Sequence, residues 1–212
     1  MYDFYSDTKT KPSNAMLEYA LGRSFGDEQK DEDPTTLELC ERVARLLGKE
    51  SAVFLPSGTM CNEIAIAVQT SPGDEILCDR SCHIINLEGG APAAMSGVMV
   101  HPLDGKYGQF TEKDIMQALR PKSRHMPISR MLCAEQTVNL GGGAVWPLEK
   151  LDSVAQVAKK SGLSTHLDGA RLLNACAKTG ISAARYSREY DSCWIDFTKG
   201  LGAPVGAVLA GS

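Results

Sequence analysis

A lysine near the end of the chain has the neighbours that covalent chemistry on a carbonyl compound requires. Lys199 follows an apolar run over residues 193–197, which predicts a β-strand, and it precedes Gly200 and Gly202. Because glycine has no Cβ, a small ligand can approach the backbone closely beside this lysine. A lysine in such a place is suited to form a Schiff base. A solvated lysine at the mouth of a tight turn is the alternative that Lys199 and Gly200 alone leave open.

The turn after the first predicted strand offers a binding site for an anion. Ser57, Gly58 and Thr59 lead from that strand into a predicted helix. Their hydroxyl groups, the free backbone N–H groups and the positive end of the helix dipole all favour a negative charge. No lysine follows at the spacing of a P-loop. An ordinary helix N-cap is the alternative interpretation of the same three residues.

Two more polar side chains follow predicted strands. Asp168 comes after residues 163–167, and His83 comes shortly after residues 75–79. Taken singly, the aspartate could be a helix N-cap and the histidine a hydrogen-bonded structural residue. Ligands of open parallel sheets bind beyond the carboxyl ends of the strands. We therefore expect one crevice to be lined by residues 57–59, His83, residues 135–139, residues 168–171, Thr198 and Lys199.

Short apolar runs alternate with helical stretches along the chain, which predicts an α/β fold with a mostly parallel sheet and helices on both faces. The predicted strands cover residues 51–55, 75–79, 97–103, 130–135, 163–167, 193–197 and 205–210. Helices are predicted from a cap at Thr35 or Thr36 as far as Gly48, and over residues 60–69, 84–90, 112–119 and 148–161. The last two strands are too close in sequence for a helical crossover, so the seventh should run antiparallel to its neighbours.

The domain organisation follows from the same pattern. Residues 1–34 are polar and lack periodic apolar positions, so we expect an N-terminal arm rather than part of the core. Residues 35–212 then form one ligand-binding domain. The chain stops two residues beyond its last predicted strand, which we interpret as the end of a fragment. The acidic segment 27–33 is either a solvated loop or a part of the arm that reaches a neighbouring subunit.

Composition narrows the class of partner to a small molecule. The 212 residues are 43% hydrophobic and carry a net charge of -4 with both signs interspersed, so we expect binding to neither nucleic acid nor an anionic membrane. No apolar run approaches the roughly 20 residues of a membrane span, and no signal-peptide pattern is present. Seven cysteines, an odd number, favour reduced thiols and a cytoplasmic location. Cys78, Cys82 and His83 have no second ligand pair at zinc spacing, so no metal site is predicted.

Pyridoxal 5′-phosphate requires four features of its protein, and the chain offers all of them. They are a phosphate cradle, an aspartate that can pair with a pyridinium nitrogen, an imidazole that can stack on a flat ring and a lysine that can form an imine. With these motifs the chain resembles the threonine aldolases, in the β-eliminating lyase group of aminotransferase-like pyridoxal-phosphate enzymes. The matching segments are residues 6–8, 33–35, 55–59, His83 with residues 88–90, 168–171 and 199–206. They run along essentially the whole chain.

The resemblance implies the large domain of a fold type I enzyme and assigns roles around the cofactor. Lys199 would hold pyridoxal 5′-phosphate through a Schiff base, and Asp168 would keep its ring nitrogen protonated. His83 would stack on the face of the ring. The phosphate group would be held by Ser57, Gly58 and Thr59.

The resemblance also implies a substrate and a reaction. Arg171 would reach the ring's phenolic oxygen or the substrate carboxylate, and Ser6 would contact that carboxylate. The reaction is the reversible cleavage of L-threonine, L-allo-threonine or a related β-hydroxy-α-amino acid to glycine and an aldehyde. Bound water or His83 would accept the hydroxyl proton. A lyase that eliminates the β-substituent of a related amino acid and a non-catalytic module with the same fold are the alternatives.

The chain departs from the family's pattern at several places. Val138 stands where many members carry a histidine near the substrate hydroxyl, which favours a more apolar β-substituent such as that of phenylserine. Lys30 replaces a frequent tyrosine, and Thr198 replaces the usual serine. Members continue beyond the position of Ser212 into a small C-terminal domain, so we expect poor turnover by these residues alone. The resemblance further implies a homodimer or homotetramer.

Overall fold

The computed structural model describes residues 3–212 and is organised around one seven-stranded sheet. The strands are β1 (Ser51–Leu55), β2 (Glu75–Asp79), β3 (Met99–Leu103), β4 (Ser129–Glu135), β5 (Ser164–Asp168), β6 (Ser192–Asp196) and β7 (Ala207–Gly211). Neighbouring strands follow the order β1-β7-β6-β5-β4-β2-β3. β7 is antiparallel to β1 and β6, and the other pairs are parallel. The predicted fold class and the antiparallel seventh strand are confirmed. β1 and β2 have the predicted bounds, and the ends of the other strands differ from the prediction by at most two residues.

Helices cover both faces of the sheet. They are α1 (Asn14–Leu21), α2 (Pro34–Leu47), α3 (Gly58–Gln69), α4 (His83–Asn86), α5 (Ala91–Met95), α6 (Glu112–Ala118), α7 (Leu148–Lys160), α8 (Leu172–Thr179) and α9 (Ala183–Ser187). α2 and α6 to α9 pack on one face, in a cluster with Leu132 and Ala134 of β4. α3 and α4 pack on the other face with Met131 and Cys133. A strand buried on both sides has apolar residues in succession, which explains the uninterrupted apolar run of β4.

α2 shows how short sequence signals fix the ends of a helix. Asp33 is its N-cap and accepts a hydrogen bond from the backbone N–H of Thr36 at 2.8 Å. Pro34 takes the first helical position, where its missing N–H costs nothing. The prediction that Thr35 or Thr36 caps this helix is therefore wrong, because the aspartate and proline precede them. Gly48 ends the helix as predicted, with a φ of 63°.

The segment after β2 forms two short helices instead of the one predicted over residues 84–90. α4 ends at Asn86, and α5 begins at Ala91. Gly89 and Gly90 between them have φ angles of 63° and 77°, a conformation that a helix cannot continue through. The sequence pattern also does not predict α1, α8 or α9, which have eight residues or fewer. Within residues 3–212, no helix combines the length and the apolar character that crossing a membrane would need.

The arm that precedes α2 lies over the carboxyl ends of the strands. α1 buries none of its residues. Both carboxylate oxygens of Asp7 accept hydrogen bonds from the guanidinium of Arg171, at 2.6 and 2.9 Å. The hydroxyl of Thr10 donates to the carbonyl of Lys199 at 2.6 Å. A few polar contacts therefore join the arm to Arg171, which follows β5, and to the connection between β6 and β7.

Candidate active site

A cavity of about 610 Å³ opens where β4, β5 and β6 end and α3 begins. All the candidate site residues line it, namely Ser6, Ser57, Gly58, Thr59, His83, Asp168, Arg171 and Lys199. Further wall residues are Tyr5, Thr8, Pro56, Leu87, Glu135, Asn139, Ala170, Trp194, Asp196 and Thr198. The strand-end rule explains why residues from separate parts of the chain meet here. Of the predicted crevice, Gly169 and residues 136–138 are not part of the wall.

The first turn of α3 forms one end of the cavity. The hydroxyl of Ser57 caps this helix by accepting a hydrogen bond from the N–H of Met60 at 3.3 Å. The cap leaves other first-turn N–H groups without an intrahelical acceptor, so the N-cap and the anion site are compatible. A Cβ on Gly58 would lie 2.1 Å from the indole ring of Trp194. Close packing on that ring, rather than a positive φ, is the reason for glycine at this position.

Asp168 ends β5 as a buried carboxylate. Its Oδ1 accepts a hydrogen bond from the N–H of Ala170, and its Oδ2 accepts one from the side-chain amide of Asn62, both at 3.0 Å. Asp168 is not the cap of α8, because Arg171 holds that position. Burial raises the pKa of Asp168 above its ordinary value. Since both donors are neutral, a positively charged N–H group of a ligand would stabilise the ionised carboxylate.

His83 begins α4 and is held at two points. Its backbone N–H donates to Oε2 of Glu135 at 3.0 Å, and its Nδ1 lies 2.7 Å from Oε1 of Glu88. An ionised carboxylate only accepts hydrogen bonds, so Nδ1 carries a hydrogen. The hydrogen bond to Glu88 raises the pKa of His83, although burial acts in the opposite direction. The imidazole is therefore fixed in orientation.

Glu135 is a second buried carboxyl in the same wall. Its Oε1 accepts a hydrogen bond from the N–H of Asn139 at 2.8 Å. Burial, together with the negative charge of Asp168, raises the pKa of Glu135 to about 7. A carboxyl group of this pKa can exchange a proton near neutral pH.

Lys199 lies in the connection from β6 to β7 and forms an ion pair with Asp196. Its Nζ lies 5.4 Å from the centre of the Trp194 ring. Asp196 also accepts hydrogen bonds from the N–H and hydroxyl of Thr198, at 2.7 and 2.6 Å. The amine is therefore directed by a carboxylate three residues earlier in the chain. Asp196 was not among the site residues predicted from the sequence, although its position three residues before Lys199 was a signal for this role.

Sequence reasoning also missed Asn62, which joins the polar groups behind the cavity. Its amide nitrogen donates to Glu88 and Asp168, while its oxygen accepts from Trp194 at 2.7 Å and from His166 at 3.0 Å. All four hydrogen-bonding positions of the amide are thus used. Asn62 lies in the middle of an apolar helix, and no local signal marks its role.

Val138 is a buried residue outside the cavity wall. The side chain is 1% exposed and belongs to the core on the face of α7. A Cβ on Gly108 would lie 2.3 Å from Cγ1 of Val138, and a Cβ on Gly141 would lie 2.9 Å from it. The departure from the family pattern at this position therefore does not change a residue that lines the cavity.

Comparisons with known proteins agree with this geometry. The family model described as beta-eliminating lyase matches residues 3–212. The probable low-specificity L-threonine aldolase 2 of Arabidopsis thaliana is 39% identical over 216 residues, which cover 99% of this chain and 60% of the relative. The low specificity L-threonine aldolase of Saccharomyces cerevisiae is 38% identical, with 99% and 54% covered.

The solved structures give the same result for the fold. The threonine aldolase of Leishmania major superposes with a TM-score of 0.88 at 25% identity, over 100% of this chain and 62% of that one. The chain spans between about half and two thirds of the length of these proteins. Its architecture is that of the aminotransferase-like, fold type I enzymes.

Proposed function

Because the chain belongs to the beta-eliminating lyase family, we propose that it acts as a pyridoxal-phosphate-dependent aldolase. The proposed substrates are L-threonine, L-allo-threonine or a related β-hydroxy-α-amino acid, and the products are glycine and an aldehyde. Relatives named low-specificity L-threonine aldolase support this choice. The observation that carries it is the single cavity in which Lys199 and Asp168 meet beside the N-terminus of α3.

The residues of the cavity fit pyridoxal 5′-phosphate. Asp168 is 3% exposed and accepts hydrogen bonds from neutral donors, so a protonated ring nitrogen would supply the compensating positive charge. Gly58 and Thr59 present the first turn of α3, where a phosphate group is favoured. Lys199 places a primary amine in the same wall. When bound, the coenzyme supplies an electron sink that lets the Cα–Cβ bond of an amino acid break.

We assign the cofactor-binding roles accordingly. Lys199 binds the aldehyde group of the coenzyme, and Asp168 holds the proton at its ring nitrogen. The phosphate group is bound by Ser57, Gly58 and Thr59. His83 covers the face of the ring.

The remaining polar groups serve the substrate. Arg171 and Ser6 bind the carboxylate of the amino acid, and the bidentate pair with Asp7 fixes the direction of the guanidinium. Bound water or His83, whose pKa is raised by its hydrogen bond to Glu88, accepts the proton of the β-hydroxyl group. Glu135, whose pKa is raised to about 7, is a further candidate for this role.

An assay of products tests the proposed function. The purified chain is supplied with pyridoxal 5′-phosphate and L-threonine, L-allo-threonine or phenylserine. Glycine and the matching aldehyde support the proposal. A 2-oxo acid with ammonia would instead support the β-eliminating alternative, and uptake of the coenzyme without either product would support a non-catalytic module.

We further propose a homodimer or homotetramer located in the cytoplasm. Large apolar side chains of the arm are exposed, including Phe4, Leu21 and Phe25, and a subunit interface would remove them from water. The cysteines within residues 3–212 are free thiols, which suits a reducing compartment. Light scattering coupled to size-exclusion chromatography measures the mass. Two or four chain masses support the assembly, and a single chain mass at high concentration contradicts it.

A further inference from the structure

Two glutamates face each other behind the cavity wall. Glu63 follows Asn62 in α3, and Glu88 lies in the turn between α4 and α5. The two carboxyl groups are neighbours, since a side-chain hydrogen bond with Glu88 adds to the effect of burial in raising the pKa of Glu63. Both oxygens of Glu63 and Oε2 of Glu88 are buried, and none of them has a donor among residues 3–212. Two neighbouring carboxylates repel each other when their oxygens are buried, and a proton shared by the pair relieves that repulsion.

The shared proton belongs on Glu63. Oε1 of Glu88 accepts hydrogen bonds from the amide of Asn62 at 2.6 Å and from Nδ1 of His83 at 2.7 Å. Donors of this kind stabilise the ionised form of the carboxylate that receives them. Glu63 has no donor among the described residues, and burial together with Glu88 raises the pKa of Glu63 to about 7. Glu88 is therefore the acceptor of the pair.

We propose that Glu63 is a positioning residue: its protonated carboxyl donates a hydrogen bond to Oε2 of Glu88 and so fixes the acceptor that orients His83 and Asn62. The effect extends to Asp168, because the amide of Asn62 also donates to its Oδ2 at 3.0 Å. Ionisation of Glu63 removes the donor and adds a negative charge beside Glu88. The effect on turnover rests on the proposed function, whereas the effect on His83 does not.

The protonation of the glutamate pair affects other titratable groups, because several of them lie close to it. Besides the two glutamates, the surrounding elements carry the following titratable side chains: Cys61 of α3, Cys78 and Asp79 of β2, Cys82 before α4, His83 of α4, Cys133 and Glu135 of β4, His166 and Asp168 of β5, and Cys193 and Asp196 of β6. α5, β1 and β7 carry no titratable side chain. Most of these groups are acids, so each further negative charge strengthens the hold of His83 on its proton.

Nuclear magnetic resonance titration of the chain tests the proposal directly. The carboxyl carbon of Glu63 should titrate near pH 7, and the imidazole signal of His83 should show an inflection at the same pH. Glu63→Gln keeps a donor but cannot ionise, so the inflection should disappear from the His83 signal. Glu41→Gln, an exposed carboxyl on α2, should leave it unchanged. Titration of Glu63 in the ordinary range of glutamate, or a His83 signal without the shared inflection, overturns the proposal.

Turnover provides the second measurement. Glu63→Leu removes the donor, and we expect kcat to fall about tenfold because displaced polar groups misplace the substrate. Glu63→Gln should recover most of that loss, which a purely steric role would not explain. Equal kcat in the Leu variant and in the unmodified chain contradicts the positioning role. If the unmodified chain forms no glycine, the proposed function fails, while the titration still decides the role of Glu63.

Discussion

The cavity has two unlike walls. The inner wall, together with the layer directly behind it, consists of buried side chains: Glu135 and Asp168 line the cavity, and Asn62, Glu88 and His166 lie behind them. Each of these side chains is hydrogen bonded to another part of the chain, and Asn62 joins four partners. Such a network keeps its charges and donors in fixed positions.

The outer wall consists of Tyr5, Ser6, Arg171 and Lys199, with Asp7 bound to Arg171, and it is held by fewer contacts. Tyr5 is 85% exposed, and the arm that carries it joins the domain through side-chain hydrogen bonds such as the pair of Asp7 and Arg171. The two walls therefore have different roles. The inner wall sets the electrostatics before any ligand arrives, and the outer wall supplies groups that can adjust to one.

Removal of the lysine of the outer wall should have the largest effect. Lys199→Ala eliminates the amine that binds the coenzyme, so we expect turnover to fall roughly 10³-fold or more. The free energy of unfolding should also fall, because the buried carboxylate of Asp196 loses its ion-pair partner. Lys160→Ala, an exposed lysine at the end of α7, is the control. Activity within tenfold of the unmodified chain would contradict the role of Lys199.

A break in the inner wall should instead reduce stability. Asn62→Leu leaves Glu88, Asp168, Trp194 and His166 without their shared partner. We expect a loss of about 3 kcal/mol or more in the free energy of unfolding, because each unsatisfied buried group costs about 1–3 kcal/mol. Urea denaturation measures it, with Asn14→Leu on exposed α1 as the control. A loss below about 1 kcal/mol would contradict the expectation that the hydrogen bonds of Asn62 stabilise the fold.

The pH dependence of stability tests the burial of a second residue of the inner wall, His166. Burial lowers the pKa of His166 to about 3 in the folded protein, whereas an unfolded histidine titrates near pH 6.5. The unfolded state therefore binds more protons below that pH, and stability should fall by about 1.4 kcal/mol per pH unit from about pH 6.5 towards pH 3. His166→Gln removes this contribution. Urea denaturation at several pH values measures the free energy of unfolding of both proteins. We expect it to fall more steeply towards low pH in the unmodified chain than in the variant. Equal pH dependence in the two proteins would contradict the burial of His166 as a neutral ring.

The smallest effect is expected in the arm. Asp7→Asn removes one charge of the half-buried pair with Arg171. We expect the free energy of local opening of the arm to fall by about 1 kcal/mol, which corresponds to a roughly fivefold increase in the opening equilibrium. Hydrogen exchange of residues 4–12 measures that opening. Asp3→Asn breaks the exposed pair with Lys9 and should change nothing, because exposed ion pairs contribute little. Equal exchange in all three proteins would mean that Arg171 does not hold the arm.

Much of the sheet and part of the site could be predicted from the sequence. Most strands contain a short apolar run, and the short link between β6 and β7 leaves no room for a crossover, so the antiparallel strand follows from geometry. The residues after the strand ends could be grouped because parallel strands end on one edge. The cap of α2 was misplaced because Asp33 and Pro34 form a stronger signal than the threonines that follow.

The inner wall could not be predicted in the same way. Asn62 and Glu63 lie in the middle of α3, and their meaning depends on Glu88, Asp168 and His166, which only the folded chain brings close. Glu88 entered the prediction as part of a motif, without its contact to His83. Polar residues within helices are usually solvated, so tertiary packing is needed to recognise a buried network.

The central claim is that Lys199 and Asp168 serve one bound coenzyme, and its most direct measurement is the site of covalent capture. The chain is incubated with pyridoxal 5′-phosphate, reduced with borohydride, digested and examined by peptide mass spectrometry. The account predicts one modified lysine, Lys199, and a loss of affinity for the coenzyme in Asp168→Asn. Modification spread over surface lysines, or unchanged modification in Lys199→Ala, would contradict it.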